Sequence, residues 1–144
     1  MKLTTRYPFS AAHRLHSNQL SEDENWAVYG RCNNPFGHGH NYWFEVTVSG
    51  KPDTETGMLV DRRKLDRCVE EEILSLVSHV NLNMQIEELK DLVPTTENVA
   101  YVFAQWLREG WMKHFDDGAV VFDRIRIYET RNNRFEIQAN EDRQ

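Results

Sequence analysis

The sequence predicts an α+β domain: a four-stranded antiparallel sheet with two helices on one face. Three observations carry that expectation. Four segments alternate apolar and polar residues with the period of a strand. Two others space their apolar residues three and four apart, as a half-buried helix does. The order along the chain is strand, strand, helix, helix, strand, strand.

The first strand is read over residues 2–12, where Leu3, Tyr7, Phe9 and Ala11 mostly alternate. Residues 17–31 are polar with scattered aromatics and read as a loop or a short helix. "HNYWFEVTVSG" is the clearest strand, with Tyr42, Phe44, Val46 and Val48 on one face. "GKPDTETG" is turn chemistry. "VDRRKLDRCVEEEILSLVSHV" then sets Leu65, Cys68, Val69, Ile73, Leu76 and Val77 on a helical stripe, with Asp61 as its N-cap. In "PTTENVAYVFAQWLREGW", Thr96 is the expected N-cap, and Val99, Val102, Phe103 and Trp106 form the stripe. "GAVVFDRIRIYET" and "NRFEIQA" are strands joined through "RNN", a hairpin signal. Residues 1–139 read as one domain and residues 140–144 as a charged tail.

Composition narrows the function classes. Of the 144 residues, 40% are hydrophobic and 28% charged, values of a globular chain. No run of eighteen apolar residues exists, so a membrane span is not expected. The first residues lack an apolar signal-peptide core, and two cysteines are too few for a disulfide framework. A reduced, cytoplasmic protein is the expectation. A net charge of −6 argues against broad nucleic-acid binding but allows an anionic small substrate held by local basic groups.

The chemistry concentrates in "CNNPFGHGHNY", residues 32–42. His38 and His40 lie one residue apart at the start of a strand, so both side chains leave by the same face. His13, late in the first strand, could stand opposite them. Three histidines leave an open fourth position, the pattern of a catalytic zinc. The competing reading is a pair of solvated loop histidines. Cys32 could pack, ligate or act as a base; a thiolate beside a cation and a histidine has a depressed pKa. Cys68, on a buried stripe, reads as a packer. His79, just past the first helix, could serve Cys32 or simply cap that helix. Glu129, at a strand end, is either solvated or accepts two parallel hydrogen bonds from a ligand. "TTEN" is first a helix start, whose free N–H groups could also hold a polar ligand. His16 and His114 are read as surface residues.

Taken together, "FSAAHRLHS", "GRCNNPFGHGHNY", "TGM", "HVNLN", "TTENVA" and "YETRNN" resemble, in order and near spacing, the 6-pyruvoyl-tetrahydropterin synthase family over about residues 7–137. The Cys-x5-His-x-His spacing resembles the biopterin branch; the 6-carboxytetrahydropterin synthases commonly have Cys-x3-His-x-His. The resemblance implies the tunnelling fold, in which the sheets of three subunits close a barrel. Two trimers then stack into a homohexamer with active sites between subunits. It implies conversion of 7,8-dihydroneopterin triphosphate to 6-pyruvoyl-tetrahydropterin and triphosphate, with Zn2+ and no external redox cofactor. His13, His38 and His40 resemble the zinc ligands, Cys32 the general base, and His79 the histidine that tunes it from a neighbouring subunit. Glu129 resembles the carboxylate that anchors the pterin, and Thr95, Thr96 and Glu97 resemble a second pterin-binding segment.

One position departs from the family. An aspartate usually precedes the histidine in Asp-His-x-Asn-Leu, and here Ser78 stands in its place, able to hydrogen-bond but without charge. Two other readings therefore stay open: a 6-carboxytetrahydropterin synthase of deazapurine biosynthesis, and a non-catalytic pterin-binding paralogue.

Overall fold

The computed structural model describes residues 1–143. Strand β1 (Lys2–His13) runs antiparallel to β2 (His38–Gly50), β2 to β4 (Val120–Tyr128), and β4 to β5 (Arg134–Gln138). A fifth strand, β3 (Val80–Asn81), pairs parallel with β1 at Ala11–Val80 and Ala12–Asn81, giving the order β3-β1-β2-β4-β5. The four-stranded expectation is corrected here. Two residues are too few for an alternation to be visible in sequence, and β3 is held by backbone pairing instead.

Alternation decides which way the sheet faces. β1 buries Thr5, Tyr7, Phe9, Ala11 and His13, and β2 buries Tyr42, Phe44, Val46 and Val48 on the same side. In β4 the buried set changes from Val120 and Phe122 to Ile125 and Ile127. The register shift opposite Thr47/Val48 makes this possible, because one extra residue, Asp123, restores the inward phase. Against this face pack α5 (Thr96–His114) and the helix that begins as α2 (Arg62–Val69).

That second helix is not uniform. After α2 the chain makes a π-turn, Glu70–Leu74, and ends as α3 (Ser75–Val77). The wider turn advances the sequence past ideal α-spacing. Leu65, Cys68, Val69, Ile73 and Val77 are buried as the stripe predicts, whereas Leu76 is exposed. Asp61 caps α2 by accepting from the Arg63 N–H at 2.9 Å. The cap of α5 is Thr95, which accepts from Asn98 N–H, and Thr96 is the first helical residue. Two adjacent threonines offer the same capping hydroxyl, so composition did not separate them.

The segment read as loop or short helix contains α1 (Glu22–Tyr29), capped by a reciprocal Ser21–Glu24 box. A short α4 (Leu82–Gln85) follows β3. The face of the sheet without helices is polar. One row crosses four strands there as Arg6, Glu45, Arg126 and Glu136, each opposite the next in register. Arg6 meets Glu45 at 2.8 Å, Arg126 lies 3.8 Å from Glu45, and Arg126 also pairs with Glu136.

Candidate metal and active site

The β1–β2 register brings the histidines together. His13, the last residue of β1, is directly opposite His38, the first of β2, and Ala11 is opposite His40. All three imidazoles leave by the helix-facing side, each offering a nitrogen within 4.8 Å of the others. His13 Nε2 and His38 Nε2 are 3.1 Å apart. Gly37, at φ +71, makes the turn into β2; a Cβ there would come within 3.0 Å of the His13 carbonyl oxygen.

His13 is fully buried, and its other nitrogen faces oxygen. Nδ1 is 2.9 Å from the Pro94 carbonyl and 3.3 Å from the Tyr42 hydroxyl. A carbonyl can only accept, so Nδ1 carries the proton and Nε2 presents a lone pair toward His38. Burial pushes the His13 pKa down to about 4; the Pro94 bond works against this, and His38 and His40 add to it. Burial likewise lowers His40, with Glu129 opposing. His38 Nδ1 and His40 Nε2 are buried without a hydrogen-bond partner among the described residues. Three imidazoles whose ligand nitrogens lie within 4.8 Å of one another, with buried nitrogens that lack a partner, are a donor set that fits a transition-metal ion.

Glu129, one residue past β4, belongs to the same cluster. Its carboxylate lies 3.7 Å from His40 Nε2 and 3.9 Å from His13 Nε2. Sequence reasoning placed it at a strand end but gave no sign that the end lay beside the histidines. Cys32 sits half-buried in a 3-10 turn, Gly30–Asn33. Burial and the Glu129 carboxylate raise its thiol. The chain's own groups thus act against the depressed thiolate that the sequence suggested, and a cation on the histidines is what would oppose them.

Ser78 and His79 lie elsewhere. Ser78 ends α3, and His79 follows in the left-handed region, at φ +61. His79 occupies the position of a helix-ending residue, but its N–H donates to Ser10 O of β1 at 2.7 Å rather than back to the helix. Both side chains are exposed. They border a cavity of about 400 Å3 with Ser10, Asn41 and Trp43, and His79 borders a second of about 550 Å3 with Gly39 and Gln85. Among the described residues no hydrogen bond joins His79 to Cys32.

The Thr95–Glu97 segment starts α5, and the preceding Pro94 supplies the carbonyl on His13. Thr96 is 3% exposed, with its hydroxyl unpartnered among the described residues, while Glu97 is exposed. Sequence reasoning missed Pro94, Tyr42 and Asn33, whose contributions are hydrogen bonds rather than spacings. It also put His114 at the surface. The His114 side chain is only 8% exposed and bonds Glu72 at 2.9 Å, beside Glu71 at 3.6 Å.

Comparison with known proteins places the chain in a family. The family profile described as 6-pyruvoyl tetrahydropterin synthase matches residues 2–140. The human 6-pyruvoyl tetrahydrobiopterin synthase is 42% identical over 132 residues, 92% of this chain and 87% of that protein. The enzyme of the same name from Poecilia reticulata is 52% identical over 98 residues, 68% of this chain and 67% of its own. The solved structure of Caenorhabditis elegans 6-pyruvoyl tetrahydropterin synthase superposes with a TM-score of 0.85 at 38% identity, covering 96% of this chain and 94% of that one. Backbone, sequence and the histidine cluster lead to one conclusion: the chain belongs to the 6-pyruvoyl tetrahydropterin synthase family.

Proposed function

We propose that this protein is a carbon–oxygen lyase that converts 7,8-dihydroneopterin triphosphate to 6-pyruvoyl-tetrahydropterin and triphosphate. The observation that carries the reading is the convergence of His13, His38 and His40 on one point beside Glu129 and near the Cys32 loop, in a chain 42% identical to the human synthase. His13, His38 and His40 would hold Zn2+, which would supply Lewis acidity to the substrate side chain. Cys32 takes such a proton as general base. Glu129 accepts two N–H donors from the amino-pyrimidine edge of the pterin and fixes its orientation. Thr95, Thr96 and Glu97 border the same ligand. Neither redox partner nor second substrate is required, because the pterin ring gains the electrons that the side chain loses.

His79 is the proton partner of the thiol and comes from a neighbouring subunit, with Ser78 in place of the family aspartate. Two features support this: His79 is exposed on the chain, and it lies in cavities that Cys32 does not border. Three sheets closing edge to edge into a barrel, and two such rings forming a hexamer, would remove the free β3 and β5 edges. We place the reaction in the cytoplasm, on the strength of two cysteines that form no disulfide. No helix among the described residues is long and apolar enough to cross a membrane.

Incubating the purified protein with dihydroneopterin triphosphate and identifying the pterin by mass tests the assignment. The pyruvoyl product is expected. A carboxy or side-chain-cleaved product would move the chain to the 6-carboxytetrahydropterin reading. No turnover by zinc-loaded protein that still binds pterin would make it a binding module.

A further inference from the structure

We propose that Asn33 is a positioning residue for Cys32, acting with Arg14 to hold the thiol in register with the metal ligands. The inference rests on the reading of Cys32 as the base. Cys32 lies in a loop between α1 and β2 that contains a single 3-10 turn, Pro35, and Gly37 at positive φ. No ladder of strand bonds reaches it, so the position of its sulfur depends on discrete contacts.

Those contacts all run to the three residues after β1. Leu15 N–H donates to Cys32 O at 2.8 Å. Asn33 Nδ2 donates to Leu15 O at 2.8 Å and faces His16 Nδ1 at 2.9 Å. Arg14 Nε donates to Asn33 O at 3.0 Å. Asn33 is 5% exposed, so its amide has little water to turn to. Its NH2 group offers two protons, and the two acceptors, Leu15 O and His16 Nδ1, use both. An aspartate at this position could donate neither.

Arg14 is itself fixed. Its N–H donates to Asn83 Oδ1 at 2.7 Å, and its carbonyl accepts from Asn83 Nδ2 at 2.8 Å. The Asn83 amide thus continues, by side chain, the pairing that β3 makes with β1 at Ala11 and Ala12. His13 is the residue just before Arg14. The chain therefore runs from the proposed metal ligand His13 directly into the clamp that holds the Cys32 loop. Displacing a reacting group by about 1 Å can cost on the order of 10²-fold in rate, so this clamp bears on turnover without touching substrate.

A double-mutant cycle tests it. Asn33→Ala is expected to lower kcat by about 10–100-fold with KM within about threefold, since the base is misplaced and the pterin contacts stay. Zinc content should not change. Released from the clamp, Cys32 should react faster with iodoacetamide. Cys68 is the internal control: burial and the Glu72 and Glu71 carboxylates push its thiol up to about 12, and it should stay unreactive. In a Cys32→Ala background, Asn33→Ala should cost nothing further. Arg14→Lys, which keeps the charge but loses the Nε donor, should show the same pattern more weakly and guards against a misfolded Asn33 variant. Additive losses in the cycle, or Cys68 becoming reactive along with zinc loss, would overturn the proposal. Wild-type turnover by Cys32→Ala alone would instead remove the base role, and the clamp's function with it.

Discussion

Two places in this molecule gather metal-ligand side chains, and they differ in what those side chains already have. At one end of the sheet, His13, His38 and His40 converge, and at the π-turn of the α2 helix, Glu71, Glu72 and His114 do the same. In both, the ligand atoms lie within 4.8 Å of one another. In the second cluster the side chains are already paired with one another. His114 bonds Glu72 at 2.9 Å, Lys113 stands 3.6 Å from the same carboxylate, and the absent side chain of Gly110 makes the room that Glu72 fills. The first is incomplete: His38 Nδ1 and His40 Nε2 are buried without hydrogen-bond partners among the described residues. Proximity of ligand types is thus a weak criterion, and buried polar atoms left without partners within such a cluster are a stronger one.

The largest expected effect follows from that contrast. Removing any one of the three histidines (His13→Ala, His38→Ala or His40→Ala) should cost more zinc affinity than the roughly 10–100-fold lost when only a supporting hydrogen bond to a ligand is removed. Metal analysis after dialysis measures this. Full zinc occupancy in all three variants would erase the distinction between the clusters.

A smaller effect is expected at Ser78, which lies apart from both. An aspartate there would hold the His79 imidazole in one tautomer and stabilise its cation, and a serine does the second only weakly. Ser78→Asp should raise turnover by about 3–30-fold, or roughly 0.7–2 kcal/mol of barrier, with unchanged zinc. A lower rate in a folded, metal-loaded variant would mean that another carboxylate already fills the role. The smallest effect on zinc, none, is expected from His114→Ala. It should instead cost about 1–3 kcal/mol of stability in denaturant titrations, the usual penalty for stranding a half-buried hydrogen-bond partner. A fall in bound zinc would show the π-turn cluster to be a site after all.

The same contrast marks what could be read from sequence. The long strands were legible because alternation over nine or more residues is a strong signal, and β3 was not because two residues hold no period. His13, His38 and His40 were legible through face and spacing. Glu129 was legible as a residue type at a strand end, yet its 3.7 Å approach to His40 depends on how β4 lies against β2. Leu76 was misread because a π-turn breaks the helical count, and Thr96 because Thr95 offers the same hydroxyl one residue earlier. Pro94, Tyr42 and Asn33 act through single hydrogen bonds across long sequence separations, which leave no pattern along the chain.

The charged row on the open face bears on folding fidelity. Sliding a strand by one residue turns its apolar side outward and is rejected by the core, but sliding by two keeps the apolar side inward. Here a two-residue slip of β1 would set Arg6 opposite Trp43 or Thr47 and take it away from Glu45. A two-residue slip of β5 in one direction would set Arg126 against Arg134. Each cross-strand ion pair contributes only about 0.2–1 kcal/mol, but the four residues vote together on the alignment of four strands. The histidines depend on that vote. His13 faces His38 only in the register in which Arg6 faces Glu45, seven residues and about 23 Å away along β1. The row is therefore a proofreading device for the histidine cluster, discriminating against misaligned sheets that the hydrophobic core alone would accept.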